Sequence, residues 1–355
     1  MQQLANLDCF FLAKEMNSSL AGGFFENFYD YGEGLFRVRF SKQSVLVDLR
    51  GFAFVAADGS FPEAPRQPSS FAMLLRKRFE SAKLESVAQL GFDRIFEFSF
   101  TSKQYGRHSL VVELFGKQGN LLLLDSERRI VKPFAKASYA ARSLADGIAY
   151  VLPPSEKKHP LELEAGDLDG KGRIVSFLSK QTSLAPFYLE EACARAGIAL
   201  DKDASALDAA EKKALLSAFA SLFKEPSPCV FLKGGTPFAF SSISLKKLDG
   251  SECVGASSVS HAASSYFSSI ERKQPQARKG DLDFQLQSQE VLAGGFEVKA
   301  VELQKAGKWV FENEGAVAEL LAAAKEKNGG SLSASAKSLG VKARVEKQFL
   351  EIEKE

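Results

Sequence analysis

The order of hydrophobic and polar positions along the chain predicts an α+β fold that is rich in antiparallel strands. Residues 4 to about 20 carry leucine and phenylalanine at helical spacing, and the Gly-Gly pair at 22–23 ends that pattern. Residues 34–41 and 44–51 are short apolar strands separated by a polar turn, which is typical of a hairpin. The chain has no G-x-G-x-x-G motif and no alternating β-α rhythm, so a nucleotide-binding parallel sheet is not predicted.

The next segment, residues 71–83, has the apolar stripe of an amphipathic helix, and the Ser-Ser pair at 69–70 supplies its cap. Arg76, Lys77 and Arg78 are consecutive behind this stripe. Such a cluster is either an ordinary solvated face or a surface that contacts phosphates. The pattern alone leaves both interpretations open.

The stretch GFDRIFEFSF, at residues 91–100, predicts a strand with an unusual beginning. Its phenylalanines at 96, 98 and 100 fall on one face, as a period of two requires. Asp93 and Arg94 stand immediately before it, after a Gly-Phe turn. This pair is either a surface ion pair, worth about 0–1 kcal/mol, or a contact for something outside the protein.

The rest of the chain changes character several times. Three further strands are predicted in 108–134, and Pro153-Pro154 marks a linker. Residues 161–224 carry short helical patterns that suit a helix-hairpin-helix type module, and residues 229–248 return to β structure. Then Phe296, Leu303, Val310 and Val317, each seven apart, predict a long helix with a coiled-coil seam. A flexible joint is expected at the Gly-Gly pair 294–295, and one short helix and a strand at 347–353 in the tail.

Composition narrows the function classes. A chain of 355 residues predicts two to four structural units, and a net charge of +2 means that a nucleic-acid surface has to be a local patch. The four cysteines show no C-x-x-C spacing and there are three histidines, so we predict reduced thiols and no metal site or cofactor. No nucleophile-base pair or phosphate loop is visible, so no enzyme is predicted. No export signal or apolar run long enough to cross a bilayer is present, which favours a cytoplasmic protein without membrane contact.

Several segments, taken in order, resemble the NFACT family of ribosome quality-control factors, called RqcH in bacteria and NEMF in animals and in older usage fibronectin-binding proteins. The segments that carry the resemblance are FAMLLRKRFESAKL, LGFDRIFEFSF, VVELFGKQGNLLLLD, YVLPP, LEEACARAGI and VSHAASSYF. The match is strong over the first 155 residues and looser after residue 265.

The resemblance implies a domain order as well as a fold. It implies an NFACT-N domain at 1–155, a helix-hairpin-helix module at 160–226, a β-hairpin return segment at 227–265, a coiled-coil arm at 266–327 and the incomplete start of a middle domain at 328–355. The returning half of the arm and the terminal RNA-binding domain, NFACT-R, have no counterpart here. The chain is therefore expected to be a fragment or a reduced member of the family.

The resemblance also implies a function. Family members bind the obstructed large ribosomal subunit that carries peptidyl-tRNA, and they recruit tRNA, alanyl-tRNA in particular, for C-terminal tailing of the stalled chain. The tRNA-binding residues would be Asp93, Arg94 and Asp8, since the family's Asp-Arg pair falls on 93–94 and an acidic residue of its first helix on Asp8. Arg76, Lys77 and Arg142 are candidates for phosphate contacts, and each has an alternative role in packing or solvation.

Three other functions compete with this one. A DNA glycosylase of related architecture would need an amine nucleophile, normally a proline after the initiator Met, whereas this chain has Gln2. A surface adhesin would need an export signal or anchor. A ribosome-binding scaffold that does not support elongation would fit a chain without the terminal RNA-binding domain.

Overall fold

The computed structural model describes residues 2–41, 43–246, 252–271, 275–325, 329–346 and 349–354. It forms two compact units, Met1–Lys273 and Gln274–Glu355. The fold is α+β, as the sequence predicts. The finer division of the chain into five segments stays a prediction.

The first unit begins with a helix and a four-stranded antiparallel sheet. Helix α1 spans Asn6–Leu20. The sheet has the order β1-β2-β3-β4, with strands Phe25–Asp30, Leu35–Phe40, Ser44–Asp48 and Phe52–Ala56. The predicted hairpin is β2–β3, in which Phe36 pairs with Val47.

A second antiparallel sheet follows the basic helix. Helix α2 spans Ser70–Arg78, and the Ser69 side chain accepts a hydrogen bond from the Ala72 N–H at 3.2 Å. The helix ends five residues before the predicted end, because the chain turns through Ser81, with φ of 55°, into the next strand. The sheet has the order β5-β6-β7-β8-β9, with strands Lys83–Gln89, Ile95–Ser102, Gly106–Glu113, Asn120–Leu124 and Ile130–Pro133, and a small hairpin of β10 (Ala137–Ser138) and β11 (Ser143–Leu144) follows it.

The core of this unit lies around α1, which packs against β4 of the first sheet and against β5 and β6 of the second. Phe96, Phe98 and Phe100 are fully buried on the predicted face of β6. Phe100 lies against Phe79, with ring centroids 4.3 Å apart. Phenylalanine suits this core, because it buries a large apolar area without a polar atom that needs a partner.

Helices and a third sheet complete the first unit. Helices α3 (Ile174–Gln181), α4 (Pro186–Ala196) and α5 (Ala209–Leu222) occupy the predicted helical region, although their assignment to a helix-hairpin-helix module stays a prediction. The third sheet has the order β13-β12-β14, with strands Thr236–Ser241, Cys229–Lys233 and Cys253–Gly255, and helix α6 spans Val259–Glu271. The β region predicted from the sequence ends at residue 248, and its last two residues lie outside the described residues.

The expectation of four reduced thiols is wrong for one pair. Cys229 and Cys253 are joined as a disulfide, with Cα atoms 6.2 Å apart. They meet because β12 and β14 are neighbours, with Phe231 opposite Cys253 and Cys229 opposite Gly255. Because the two cysteines are 24 residues apart, sequence patterns do not predict that they are neighbours. Cys9 and Cys193 are buried free thiols, as predicted.

The second unit consists of a long helix and a small α/β group. Its elements are α7 (Pro275–Glu312), α8 (Glu314–Lys325), α9 (Gly329–Ser338), β15 (Val341–Glu346) and β16 (Phe349–Lys354). Helix α7 continues through Gly294 and Gly295, so the predicted joint there is wrong; the interruption comes at Asn313 instead. Phe296 and Leu303 of the predicted seam are 70% and 65% exposed, and the coiled coil stays a prediction.

Candidate nucleic-acid interface

The Asp93-Arg94 pair stands on a strained turn between β5 and β6. Gly91 and Phe92 both have left-handed backbone conformations, with φ of 62° and 44°. A bulky residue adopts this conformation only rarely, at a cost of roughly 1–2 kcal/mol. Surrounding contacts therefore have to hold the turn in place.

Three contacts hold it. The Asn6 side-chain amide donates to the Phe92 carbonyl oxygen at 2.9 Å, and the Gln89 amide donates to the Asp93 carbonyl oxygen at 2.8 Å. The Phe92 ring packs on His159 and Phe223, with centroids 4.4 and 5.4 Å away. Helix α1 and the helical region thus fix the turn from two sides.

Asp93 and Arg94 are half-buried, and their side chains have different partners. The Asp93 carboxylate accepts the backbone N–H of Arg94 at 2.7 Å. The Arg94 guanidinium donates from Nη1 to Gln3 Oε1 at 2.8 Å and lies over the Phe115 ring at 5.7 Å. The surface ion pair that the sequence left open is therefore not the contact observed. The guanidinium is oriented by an amide and a ring, which keeps most of its donors available.

Gln3 connects this arginine to the first sheet. Its Nε2 donates to the Arg50 carbonyl oxygen at 2.6 Å while its Oε1 accepts from Arg94. Sequence patterns do not indicate Gln3 or Asn6, because these residues are 91 and 86 residues from their partners in the turn.

Asp8 lies in α1 but is fully buried. One carboxylate oxygen accepts from the Tyr188 and Ser242 hydroxyls, and the other accepts the Ala5 N–H at 2.8 Å. Burial raises the pKa of Asp8, and these hydrogen bonds oppose the rise. Asp8 ties α1 to α4 and to the end of β13, and its burial leaves no surface for direct contact with RNA.

The three candidate phosphate contacts differ from one another. Arg76 donates from Nε to the Phe28 carbonyl oxygen at 2.9 Å and lies over the Tyr29 ring at 5.3 Å. Lys77 is exposed beside it. Both lie on α2, and within the described ranges neither shares a hydrogen bond or ion pair with Arg94.

Arg142, by contrast, is bound within the protein. Its Nη1 and Nη2 donate to the two oxygens of Glu113 at 2.5 and 2.8 Å, and the two side chains are 7% and 0% exposed. The Tyr150 hydroxyl donates to the same carboxylate at 2.9 Å. Glu113 engages both terminal nitrogens of a guanidinium that is almost fully buried, so this geometry disagrees with a phosphate contact at Arg142.

Two further properties bear on the class of site. Among the described residues, no three His, Cys, Asp or Glu side chains are grouped so that they could hold a metal ion. Over the same part of the chain, every helix is too short or too polar to traverse a lipid bilayer.

Comparison with known proteins identifies the family. The family model for the NFACT N-terminal and middle domains matches residues 11–305, and the chain belongs to this family. The archaeal Rqc2 homolog aRqcH of Methanocaldococcus jannaschii is 32% identical over 239 residues, which are 63% of this chain and 35% of that protein. The Rqc2 homolog RqcH of Bacillus subtilis is 33% identical over 155 residues, which are 39% of this chain and 27% of that protein.

A human protein is also similar to this chain. The human ribosome quality control complex subunit NEMF is 34% identical over 128 residues, 35% of this chain and 12% of that protein. The matches thus span about a third or less of these relatives.

Solved structures share the fold. The Staphylococcus aureus fibrinogen binding protein aligns with a TM-score of 0.61 at 19% identity, covering 73% of this chain and 97% of that one. The N-terminal part of the Streptococcus suis fibronectin/fibrinogen-binding protein aligns with a TM-score of 0.61 at 20% identity, covering 75% and 99%.

Proposed function

We propose that the protein is a ribosome quality-control factor that binds the obstructed large ribosomal subunit and engages tRNA through the Asp93-Arg94 turn. The named relatives from an archaeon, a bacterium and an animal support this role, since the human one is a ribosome quality control complex subunit. Engagement of alanyl-tRNA to support C-terminal tailing of the stalled chain, beside its peptidyl-tRNA, is the finer part of the proposal. The protein acts in the cytoplasm and is not itself an enzyme, because the ribosome forms the peptide bonds.

The observation that carries the proposal is the orientation of Arg94. Its guanidinium is half-buried, held by Gln3 and Phe115, and mounted on a turn whose strain is compensated by α1 and by the helical region. A planar guanidinium fixed in one rotamer suits a phosphate or a base edge, because less side-chain entropy is lost on binding. The Asp93 oxygen that does not bind Arg94 can accept from a base amino group.

The partner that fits this arrangement is an unpaired RNA loop. Proteins recognise RNA sequences mainly where bases are splayed out of the helix, because the deep groove of an RNA duplex is closed to side chains. An anticodon loop meets this requirement. Near-neutral net charge is compatible with such local recognition, because only a small patch has to be basic.

The test is to purify the tagged protein from its own cells and sequence the RNA that accompanies it. We expect large-subunit rRNA and a narrow set of tRNAs, with the tRNAs lost in an Asp93→Ala/Arg94→Ala variant. A Glu127→Ala/Arg129→Ala variant is the matched control, because it removes an exposed acid-arginine pair from another turn of the same unit.

Three results would change the proposal. Recovery of rRNA without enriched tRNA would favour the non-elongating scaffold. Absence of rRNA would contradict the proposal altogether. Unfolding of the Asp93/Arg94 variant, measured by circular dichroism, would indicate a structural role for the pair instead.

A further inference from the structure

We propose that a depression beside Arg94 is a binding site for one unstacked nucleobase of single-stranded RNA, with Phe134 as its stacking face and Lys117 as its phosphate contact. This inference rests on the proposed function, because it names the part of an RNA that the first unit would hold next to the Asp93-Arg94 turn. The depression has a volume of about 650 Å³, and Gln3, Leu49 and Arg50 are among its lining residues. Gln3 also bonds Arg94, so it separates the depression from the turn by one side chain.

Phe134 is an exposed aromatic residue that is fixed in position. It is 37% exposed, yet its ring makes edge contacts with Phe36 and Phe71, with centroids 4.9 and 5.5 Å away. Its backbone N–H donates to the Leu121 carbonyl oxygen at 2.7 Å. A ring that is held from behind and open in front is ready to stack on a base with little loss of side-chain freedom.

The backbone around the ring is equally rigid. The buried Asn120 side chain donates to the Ala135 carbonyl oxygen at 2.7 Å and accepts the Ala135 N–H at 3.0 Å. These two bonds fix the chain directly after Phe134. The stacking face is therefore preorganised from both its ring contacts and its backbone.

Glycines form much of the rest of the lining. A Cβ atom at Gly119 would lie 2.7 Å from the Leu49 carbonyl oxygen, so only glycine permits this close approach. A Cβ at Gly34 would lie 3.2 Å from the Leu49 Cβ. Gly116 has φ of 64°, and it begins the short turn that carries Lys117. Side chains at Gly119 and Gly34 would press on Leu49, so these glycines allow the wall of the depression to pack closely.

The charges around the depression favour a nucleotide over an apolar peptide. Lys117 is exposed on one side, and the Arg50 guanidinium is already neutralised by buried Asp48 at 2.9 Å. A cation for a phosphate and an aromatic face for a base together match one nucleotide of a splayed loop.

The experiment uses the full chain and a fluorescein-labelled stem–loop RNA with 2-aminopurine at each loop position in turn. Anisotropy measures affinity, and quenching of 2-aminopurine measures stacking. We expect Phe134→Ala to weaken binding roughly 5- to 150-fold, the range of base–aromatic stacking. It should also abolish quenching at one loop position, whereas Phe134→Trp should keep both.

Lys117→Ala should weaken binding and lower the salt slope by about one, while the quenching at saturation remains. Phe238→Ala is the matched control, because Phe238 is 46% exposed on β13 and lies outside the depression. It should bind as the wild type does. Phe134→Leu keeps the contacts to the core, so loss of quenching in that folded variant supports the site even if Phe134→Ala unfolds.

Other outcomes would overturn the inference. Wild-type affinity and quenching in Phe134→Ala and Phe134→Leu, with binding lost in the Asp93→Ala/Arg94→Ala variant, would refute the base site and leave the proposed function standing. Equal loss in Phe238→Ala would also refute it. If the wild-type chain does not bind the stem–loop at all, the base site fails, whereas the proposed function is decided separately by the RNA that is recovered with the tagged protein.

Discussion

The buried pair of Arg142 and Glu113 provides the sharpest test of how much of this protein's charge is structural. Replacing Arg142 with alanine would leave the Glu113 carboxylate, which is fully buried, with Tyr150 as its remaining hydrogen-bond donor among the described contacts. Removing one partner of a buried ion pair typically costs about 3–5 kcal/mol, because the other charge is left uncompensated. We therefore expect Arg142→Ala to lower the free energy of unfolding of the first unit by about that amount.

The assay is urea unfolding followed by circular dichroism, with two comparison variants. Glu113→Gln/Arg142→Met removes both charges and should be clearly more stable than Arg142→Ala, because no isolated charge remains. Arg129→Ala breaks an exposed pair, in which Arg129 Nε lies 3.3 Å from Glu127 Oε2, and should change stability by less than about 1 kcal/mol.

The result that would refute this reasoning is specific. If Arg142→Ala is as stable as the wild type and the double variant gains nothing over it, the pair does not stabilise the fold. If that stable variant also loses RNA, the phosphate contact suggested by the sequence becomes the better explanation of Arg142.

Three further predictions concern the turn and its supports. Burial raises the pKa of Asp8. The wild type should therefore lose stability relative to Asp8→Asn as pH rises from about 4 through the raised pKa. Urea unfolding across pH 4–8 measures this stability difference, and a difference that grows in the other direction contradicts the prediction. Burial lowers the pKa of His159. The stability that its neutral ring contributes is present above about pH 6.5 and should be lost as pH falls. In the same measurement His159→Phe should reduce that loss of stability, and an unchanged pH profile would count against this prediction. Asn6→Ala removes the donor to the Phe92 carbonyl oxygen and should reduce tRNA recovery although Asn6 need not touch RNA, with a stability loss of about 1 kcal/mol; full tRNA recovery would show that the turn needs no such support.

Sequence patterns predict the elements well where burial is a local property. The alternating phenylalanines of β6 and the capped helix α2 follow from periods of two and 3.6 residues, which act within a few positions. The end of α2 is missed because a left-handed Ser81 has no strong local signature. Helix α7 passes through two adjacent glycines, because their cost of about 1 kcal/mol each is small beside that of breaking a long helix.

The site is predicted less completely than the fold. The motif indicates Asp93 and Arg94, but their supports come from Gln3 and Asn6 on a distant segment, and no local period links these positions. A basic residue likewise looks the same in sequence whether it faces solvent or a buried carboxylate. That ambiguity explains why Arg142 is a reasonable candidate from sequence and an unsuitable one in three dimensions.

The segment around Gln2 and Asp8 has a consequence for how the protein is made. The Gln2 N–H donates to the Tyr266 hydroxyl, which is 264 positions later in the chain. Asp8 accepts hydrogen bonds from the hydroxyls of Tyr188 and Ser242, which are 180 and 234 positions later. At a synthesis rate of 5–20 residues per second, helix α1 waits on the order of 10 to 50 s for its last partner. During that interval its apolar face is open to chaperones, and long-range pairing of this kind makes folding slow. The first unit should therefore become protease-resistant in one step, once α6 has left the exit tunnel.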